Sequence, residues 1–259
     1  HWRDDQMKNF LFQVEINYKR IIFRNLRFLF FSIAMPIGFY LLFTQVMNQS
    51  IPDNILKTWT ITYLISMIVY SMLISSVFTV SNTLLEDRIC KFDLLVELSA
   101  VSKLQYYGSM VIVFLSLNLL GALSLEITAI VINHIQVSVI RLFELLLLLP
   151  LVSFPLVLLG ILVSLVGSGN TVNVLCNLVV FPMAILSGLW WPLETMPDWM
   201  QHVGQLLPAY HAKEFLNEFI QEQHFNFNHF GVLLTWSILL AGILKGVVML
   251  INKREVQSV

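Results

Sequence analysis

The sequence predicts an all-α integral membrane protein with six transmembrane helices and both termini in the cytosol. It adds an N-terminal interfacial helix, a short cytosolic helix between spans two and three, and outer amphipathic helices before the last span. Three observations carry this. Hydrophobic residues make up 57% of the 259 residues and charged residues only 12%, whereas soluble domains run near half apolar and a quarter charged. Six apolar runs reach the roughly 20 residues that a helix needs to cross a bilayer. Eleven of the fifteen lysines and arginines fall in segments on one side of those runs.

The chain opens at His1, and Met7-Lys8 reads as a native start, so residues 1–6 are expected to be foreign to it. In residues 8–27 Phe10, Leu11, Val14, Tyr18, Ile21 and Ile22 fall on one arc at 100° per residue, with Gln13, Asn17, Arg20 and Arg24 on a stripe away from it. Together with Lys19 and Arg27 this spells a basic helix lying in the membrane surface.

The spans are placed at about 28–47, 59–81, 105–126, 142–166, 171–190 and 230–251. Pro36, Pro150, Pro155 and Pro182 are breakers whose freed backbone groups must be satisfied by neighbouring helices. Gly242 and Gly246, and the small residues Gly160, Ser164 and Gly167, have the spacing of close helix contacts. Arg3, Lys8, Lys19, Arg20, Arg24 and Arg27 precede span one, Arg88, Lys91 and Lys103 lie between spans two and three, and Lys253 and Arg254 follow span six. By the positive-inside rule those segments are cytosolic. Cys90 and Cys176 then lie on the reducing side, as isolated thiols rather than a disulfide or zinc framework.

Glu86-Asp87-Arg88 is too costly to enter hydrocarbon, so the chain surfaces there. Phe92, Leu95, Val96 and Ser99 share one side of the helix expected next. That helix either meets a cytosolic partner or rests on lipid, and composition does not choose between them. Asn170, Asn173 and Asn177 lie at i, i+3 and i+7 near the start of span five. They read either as hydrogen bonds between helices or as the lining of a polar entrance.

After span five come Ser187, Gly188 and the pair Trp190-Trp191, a bilayer-interface signal. Thr195 reads as an N-cap with Asp198 three residues on, opening a surface helix with Trp199, Val203 and Leu206 on its apolar side and Pro208 as its stop. Ala212, Phe215, Leu216, Phe219 and Ile220 form the apolar face of a second amphipathic helix, opposite Lys213, Glu214, Asn217 and Glu218. Five histidines, His134, His202, His211, His224 and His229, map outside without an HxxxH or HExxH pair, and no metal site is expected.

No GxxxxGK[ST] loop occurs, so any ATP-driven work needs another polypeptide. No GxSxG motif and no carboxylate pair at mid-membrane appears, Glu126 and Glu144 lying near the outer ends of their spans, so this chain is expected to be no enzyme. An ion-coupled carrier more often shows midplane charge or paired broken helices in two repeats.

The run Ser187-Gly188-Leu189-Trp190-Trp191-Pro192-Leu193-Glu194-Thr195-Met196-Pro197, then Trp199-Met200 and Leu206-Leu207-Pro208-Ala209-Tyr210, resembles the signature of ABC-2 type transporter permeases. Arg24-Asn25-Leu26-Arg27-Phe28 before a span with Pro36 resembles the family's start. Glu86-Asp87-Arg88 through Leu94-Leu95, then Ser102-Lys103-Leu104-Gln105-Tyr106, resembles its segment between spans two and three. The likeness runs from Lys8 to Lys253; where the family often has Glu-Arg-Glu-x-Gly-Thr, Arg-Ile-Cys-Lys-Phe-Asp follows Glu86-Asp87 here.

The resemblance implies the permease subunit of an ABC exporter that works with a second permease copy or a sister permease and with a separate cytosolic ATPase. ATP and Mg would be held on that partner, and this chain would carry no cofactor. Residues 1–27 would be tail and connecting helix (Lys19, Arg20, Arg24, Arg27), 28–253 the transmembrane domain, and 254–259 a cytosolic tail. Residues 86–103 would hold the coupling helix, with Glu86, Asp87, Arg88, Lys91, Phe92 and Leu95 facing the ATPase. Residues 191–229 would form outer, partly re-entrant helices, gated by Trp190, Trp191, Pro192, Pro197, Trp199 and Pro208. Asn170, Asn173 and Asn177 would line the pathway, with spans one, two and five forming most of the dimer interface and route. The implied cargo is an amphiphile: a drug, an antimicrobial or toxin-like peptide, or a lipid-like molecule. Membrane lipid is the remaining partner and nucleic acid is not one. The alternatives are a membrane immunity or accessory protein that binds a peptide or lipid without transport and, behind it, an ion-coupled carrier.

Overall fold

The computed structural model describes the backbone of residues 2–24, 26–92, 103–166 and 168–257, and within these the side chains other than 2–9, 23, 24, 28, 29, 49, 50, 53, 103, 104, 107 and 251–257. The described residues form helices and turns only. The α-helices are α1 (Trp2–Arg24), α2 (Leu26–Leu41), α3 (Asp53–Ile74), α4 (Val80–Ile89), α5 (Lys103–Asn133), α6 (Val139–Ser164), α7 (Gly169–Leu186), α8 (Asp198–Gly204), α9 (Pro208–Gln221) and α10 (Phe227–Gln257). Leu95 and most of the expected cytosolic helix lie outside the described residues, as does the side chain of Arg24.

Five helical stretches are long and apolar enough to cross a membrane: Asn54–Ile89, Gly108–Asn133, Val139–Ser164, Gly169–Leu186 and Phe227–Leu250. The run expected as the first span gives a shorter apolar helix, Phe30–Val46. It loses regular geometry at its end, where α2 passes into a π turn (Leu42–Val46) and a 3-10 turn (Met47–Ser50).

Asn54–Ile89 is the axis of the bundle, joining α3 and α4 through a π turn at Ser75–Thr79. At 1.5 Å per residue it is about 54 Å long, against about 30 Å of hydrocarbon, so it must project beyond the membrane. Of its most apolar stretch 94% is buried, against 11% for α10 and 22% for α7, which places it at the centre and those two at the margin. The outward faces of α6 and α10 remain apolar, with Phe143, Leu147, Ile238 and Leu250 exposed, as a lipid-facing surface requires.

The breakers are absorbed in specific ways. Pro36 has no N–H to offer Ser32 O four residues back; the Ser71 hydroxyl donates to that oxygen instead, at 2.5 Å. Gly121 of α5 leaves room for this bond, since a Cβ there would lie 2.4 Å from Ser71 Oγ. Pro150 and Pro155 sit inside one continuous α6, and Pro182 inside α7, so none of the three ends its helix. Gly160 of α6 lies against the π turn, where a Cβ would come 2.1 Å from Ser76 O, and Ser81 Oγ donates to Gly160 O at 2.7 Å. The close contact expected of Gly160 is therefore present, whereas Gly242 and Gly246 meet nothing within 4 Å in this chain.

α1 packs against α5 with a face that joins part of the expected apolar arc to the polar stripe: Ile21 is fully buried there, with Tyr18 and Ile22 packed beside it. Asn17 is fully buried, its amide donating to Ser109 Oγ at 2.5 Å, and Gln13 is also buried, while Leu11 and Phe12 are exposed. Arg20 reaches Asp87 of α4 with two parallel bonds, Nη1 to Oδ1 at 2.9 Å and Nη2 to Oδ2 at 3.0 Å. Tyr106 of α5 donates to the same carboxylate at 2.5 Å, and the Arg20 guanidinium lies 4.1 Å from the Phe92 ring centroid. The polar stripe turns inward because it finds partners there.

Gly160→Val must push α6 away from the π turn and is expected to destabilise the protein by about 1–3 kcal/mol, read as a lowered melting temperature of the detergent-solubilised protein. Asp87→Ala strands a mostly buried guanidinium and is expected to cost about 3 kcal/mol. The Arg20→Ala, Asp87→Ala pair should cost less than the two single losses added together, which a double-mutant cycle measures.

Candidate functional site: an apolar cleft capped by Trp190

One face each of α2, α3 and α7 encloses a cleft of about 450 Å³. α2 supplies Arg27, Phe31 and Met35, spaced four apart; α3 and its π turn supply Tyr70, Ile74 and Phe78 at the same spacing; α7 supplies Asn173, Asn177 and Phe181. Repeats of four bring residues to one side of a helix, so three helices of alternating direction build one wall each. Arg27, Phe78 and Asn173 lie toward one end, and Met35, Tyr70 and Phe181 toward the other. The lining is apolar apart from one guanidinium, two carboxamides and the Tyr70 hydroxyl, which turns to Met35 Sδ at 3.7 Å, a composition suited to an amphiphile.

Trp190 stands at the Phe181 end, packed on two of the lining residues, Tyr70 and Phe181. Its ring centroid lies 5.4 Å from Phe39, 5.5 Å from Tyr70, 5.9 Å from Phe181 and 6.0 Å from Trp191, and Tyr63 donates its hydroxyl to Trp190 O at 3.2 Å. Local sequence puts it there. α7 ends at Leu186 in a Schellman turn, with Leu189 N–H donating to Ala184 O at 3.0 Å and Gly188 N–H to Ile185 O at 3.1 Å. Gly188 takes φ +69°, which a side-chain-bearing residue adopts only at a cost, and Leu193 crowds the space a Cβ would need. The chain therefore reverses within two residues and returns Trp190 to the bundle.

Other residues of the outer segment fall differently from expectation. Thr195 does not cap a helix; it closes a 3-10 turn (Leu193–Thr195), its hydroxyl donating to Pro192 O at 2.7 Å, and α8 begins at Asp198 after Pro197. Pro208 does not stop α8, which ends at Gly204, but opens α9 at a position where a missing N–H costs nothing. Gly204 is pressed against the end of α7, a Cβ there lying 2.0 Å from Leu186 O. Trp191, Trp199 and Leu206 are exposed. α9 buries Ala212, Phe215, Leu216 and Ile220 as its pattern predicts. Lys213, assigned to the polar face, is buried as well, paired with Glu214 at 2.9 Å and 5.7 Å from the Tyr210 ring centroid.

The three asparagines do not act together. Asn173 and Asn177 line the cleft, Asn170 is exposed outside it, and the Asn177 amide donates at 2.8 Å to Asn173 O of its own helix rather than across helices. At the opposite end of the bundle from Trp190, Asp87 and Phe92 face α1 and α5. Arg88, Cys90 and Lys91 are exposed, and Glu86 is half-buried. Arg88 also donates to Ser164 O of α6 at 2.7 Å. Lys19 is exposed and pairs with Glu15 at 2.7 Å; this hydrogen bond holds the Glu15 carboxyl below its ordinary range. Cys176 is buried against the π turn, 3.8 Å from Val77 O. Tyr70, Phe39 and Arg27 as cleft and cap residues were missed from sequence. A spacing of four across three separate runs was the only available signal.

Residues 12–218 match the family model described as ABC-2 type transporter. The chain is also 31% identical over 193 residues to the Bacillus subtilis (strain 168) protein named "Putative transport permease YvfS", an alignment that covers 74% of this chain and 78% of that one. With its multi-pass helical bundle, the chain belongs to the ABC-2 type transporter family.

Proposed function

We propose that this chain is the transmembrane permease subunit of an ATP-driven exporter, moving an amphiphile out of the cell: a drug, an antimicrobial or toxin-like peptide, or a lipid-like molecule. The observation that carries this reading is the apolar cleft between α2, α3 and α7, with its single arginine at one end and its aromatic cap at the other. In this reading Phe30–Val46 is the first of six spans, both termini are cytosolic, Arg27 marks the inner mouth and Trp190 the outer end. A second copy, or a sister permease, closes the open side of the cleft along α2 and α7.

ATP is bound and hydrolysed on a separate cytosolic subunit, because this chain holds no phosphate-binding loop. The coupling segment at 86–103 meets that subunit through exposed Arg88 and Lys91. Its displacement reaches the bundle by two routes. One is direct, along α4 into the π turn beside the cleft. The other passes through Arg20, which ties α1 to Asp87, so that the connecting helix moves with the coupling segment.

Two experiments test this. Reconstituted with its ATP-binding subunit, the wild-type chain should export a fluorescent anionic amphiphile, whose charge suits Arg27 at the inner mouth, only with ATP. Arg88→Glu combined with Lys91→Glu should lower that export at least about tenfold. Because Arg88→Glu also removes the bond to Ser164 O, Lys91→Glu alone is the control that should lower export while the melting temperature holds, since exposed substitutions shift stability little. Transport by the chain alone, driven by an ion gradient and indifferent to ATP, would overturn the reading. Trp190→Ala empties the centre of the cap and should cost about 3–5 kcal/mol of stability. Trp190→Phe keeps apolar bulk and should retain most of the stability, while changing the relative export rates of large and small amphiphiles.

A further inference from the structure

His211 lies in the first turn of α9 and His229 in the first turn of α10, and their Nδ1 atoms are 2.7 Å apart. The other nitrogen of each ring is already committed. His211 Nε2 lies 2.8 Å from Gln205 O. His229 Nε2 lies 3.4 Å from Glu218 Oε1, a carboxylate whose other oxygen accepts from the Asn226 amide at 2.7 Å. A carbonyl and a carboxylate only accept hydrogen bonds, so both Nε2 atoms carry hydrogen. Two neutral rings of that tautomer would face each other with bare lone pairs at Nδ1, and two imidazolium rings would face each other with two N–H groups. Neither state holds the nitrogens at hydrogen-bond distance. Three protons over four nitrogens do.

We propose that His211 and His229 form a proton-binding site, holding one excess proton between their Nδ1 atoms and so pinning α9 to α10. Glu218 faces His229 Nε2, so in the one-proton state the bond runs from His229 Nδ1–H to His211 Nδ1. His211 is neutral and donates from Nε2 to Gln205 O. Burial supports this assignment by holding His211 below the ordinary imidazole range, with the neighbouring His229 acting in the same direction against Gln205 O and Glu214. Tyr210 stands edge-on to both rings, at 5.3 and 6.2 Å between centroids. The charged groups around the pair are Glu214, Glu218 and Lys213 of α9, with Lys213 paired to Glu214, and Glu194 of the preceding turn, which acts on Tyr210. Among the described residues no group of three histidine, cysteine, aspartate or glutamate side chains is placed to hold a metal ion, since Glu218 meets His229 at Nε2, away from the facing Nδ1 atoms.

The bond fails on both sides of its one-proton state. In acid, His211 takes up a second proton. A histidine held below its unfolded range contributes stability that is lost as pH falls. In alkali the shared proton leaves and the lone pairs repel. The two steps belong to the pair rather than to either ring.

Amide hydrogen exchange on the full chain in lipid nanodiscs, corrected for the intrinsic pH dependence, tests this between about pH 5 and pH 9. Protection of Pro208–Gln221 should peak inside that window and fall about tenfold at both ends, as expected for loss of one charge-assisted hydrogen bond. His211→Gln and His229→Gln each keep a hydrogen-bonding side chain without the titration, and should flatten the peak while leaving protection of α3 unchanged. A flat wild-type profile, or a peak that survives in both variants, would overturn the proposal. So would a peak abolished by a chelator, which would put a metal ion in the proton's place.

Discussion

A helix bundle in hydrocarbon has no water with which to satisfy a freed backbone carbonyl, and this constraint decides how the axis of the protein is built. Pro36 frees Ser32 O and Ser71 takes it. The π turn at Ser75–Thr79 displaces Ser76 and Val77 from regular helix, and Gly160 and Cys176 come up against their carbonyls. At both places an irregularity on one helix is matched by a small or weakly donating residue on another. That matching explains why the most central helix carries so many hydroxyls: Ser66, Ser71, Ser75, Ser76, Thr79, Ser81 and Thr83 are all buried on it. They are short enough to allow close approach and polar enough to complete the backbone bonds of the neighbours.

The same rule governs the polar end of the bundle. Asp87 sits where the axial helix leaves the apolar region, and burying its charge is tolerable only because Arg20 and Tyr106 complete its bonds. Its pairing with α1 converts a residue that looks like a surface contact into a joint between three helices. Arg88, Cys90 and Lys91 remain exposed at this end.

Much of this was legible in the sequence, for identifiable reasons. Long apolar runs report the medium directly, so the spans in α6, α7 and α10 could be placed within a few residues, while α5 runs seven residues past the expected end of its span, to Asn133. Gly188 and the Trp190-Trp191 pair marked the end of the fifth span, though not the reversal that returns Trp190 to the bundle, and the repeat in α9 fixed its buried side. Amphipathicity was a poorer guide for α1, because a polar stripe turns toward water only when the protein offers it nothing better, and Asp87, Ser109 and Tyr106 lie some 70 to 90 residues away in the chain. The π turns had no signature in residue type. Lys213 read as polar surface, since its place against Tyr210 and Glu214 depends on the turn before α9. The cleft was hidden for a related reason: each of its walls looks like ordinary apolar spacing until the three are set side by side.

The axial stretch Asn54–Ile89 has one further consequence. It holds Asp87 near one end and, near the other, Tyr63, whose hydroxyl grips the backbone of Trp190. Both are on a single length of helix with no loop between them. Such an element works as a lever: at about 1.5 Å per residue, a tilt of about 5° around its middle moves each end by about 2 Å in opposite directions. The aromatic cap and the Arg20 joint are therefore fixed to one element, and the π turn beside the cleft is where its α-helical pitch is interrupted between them.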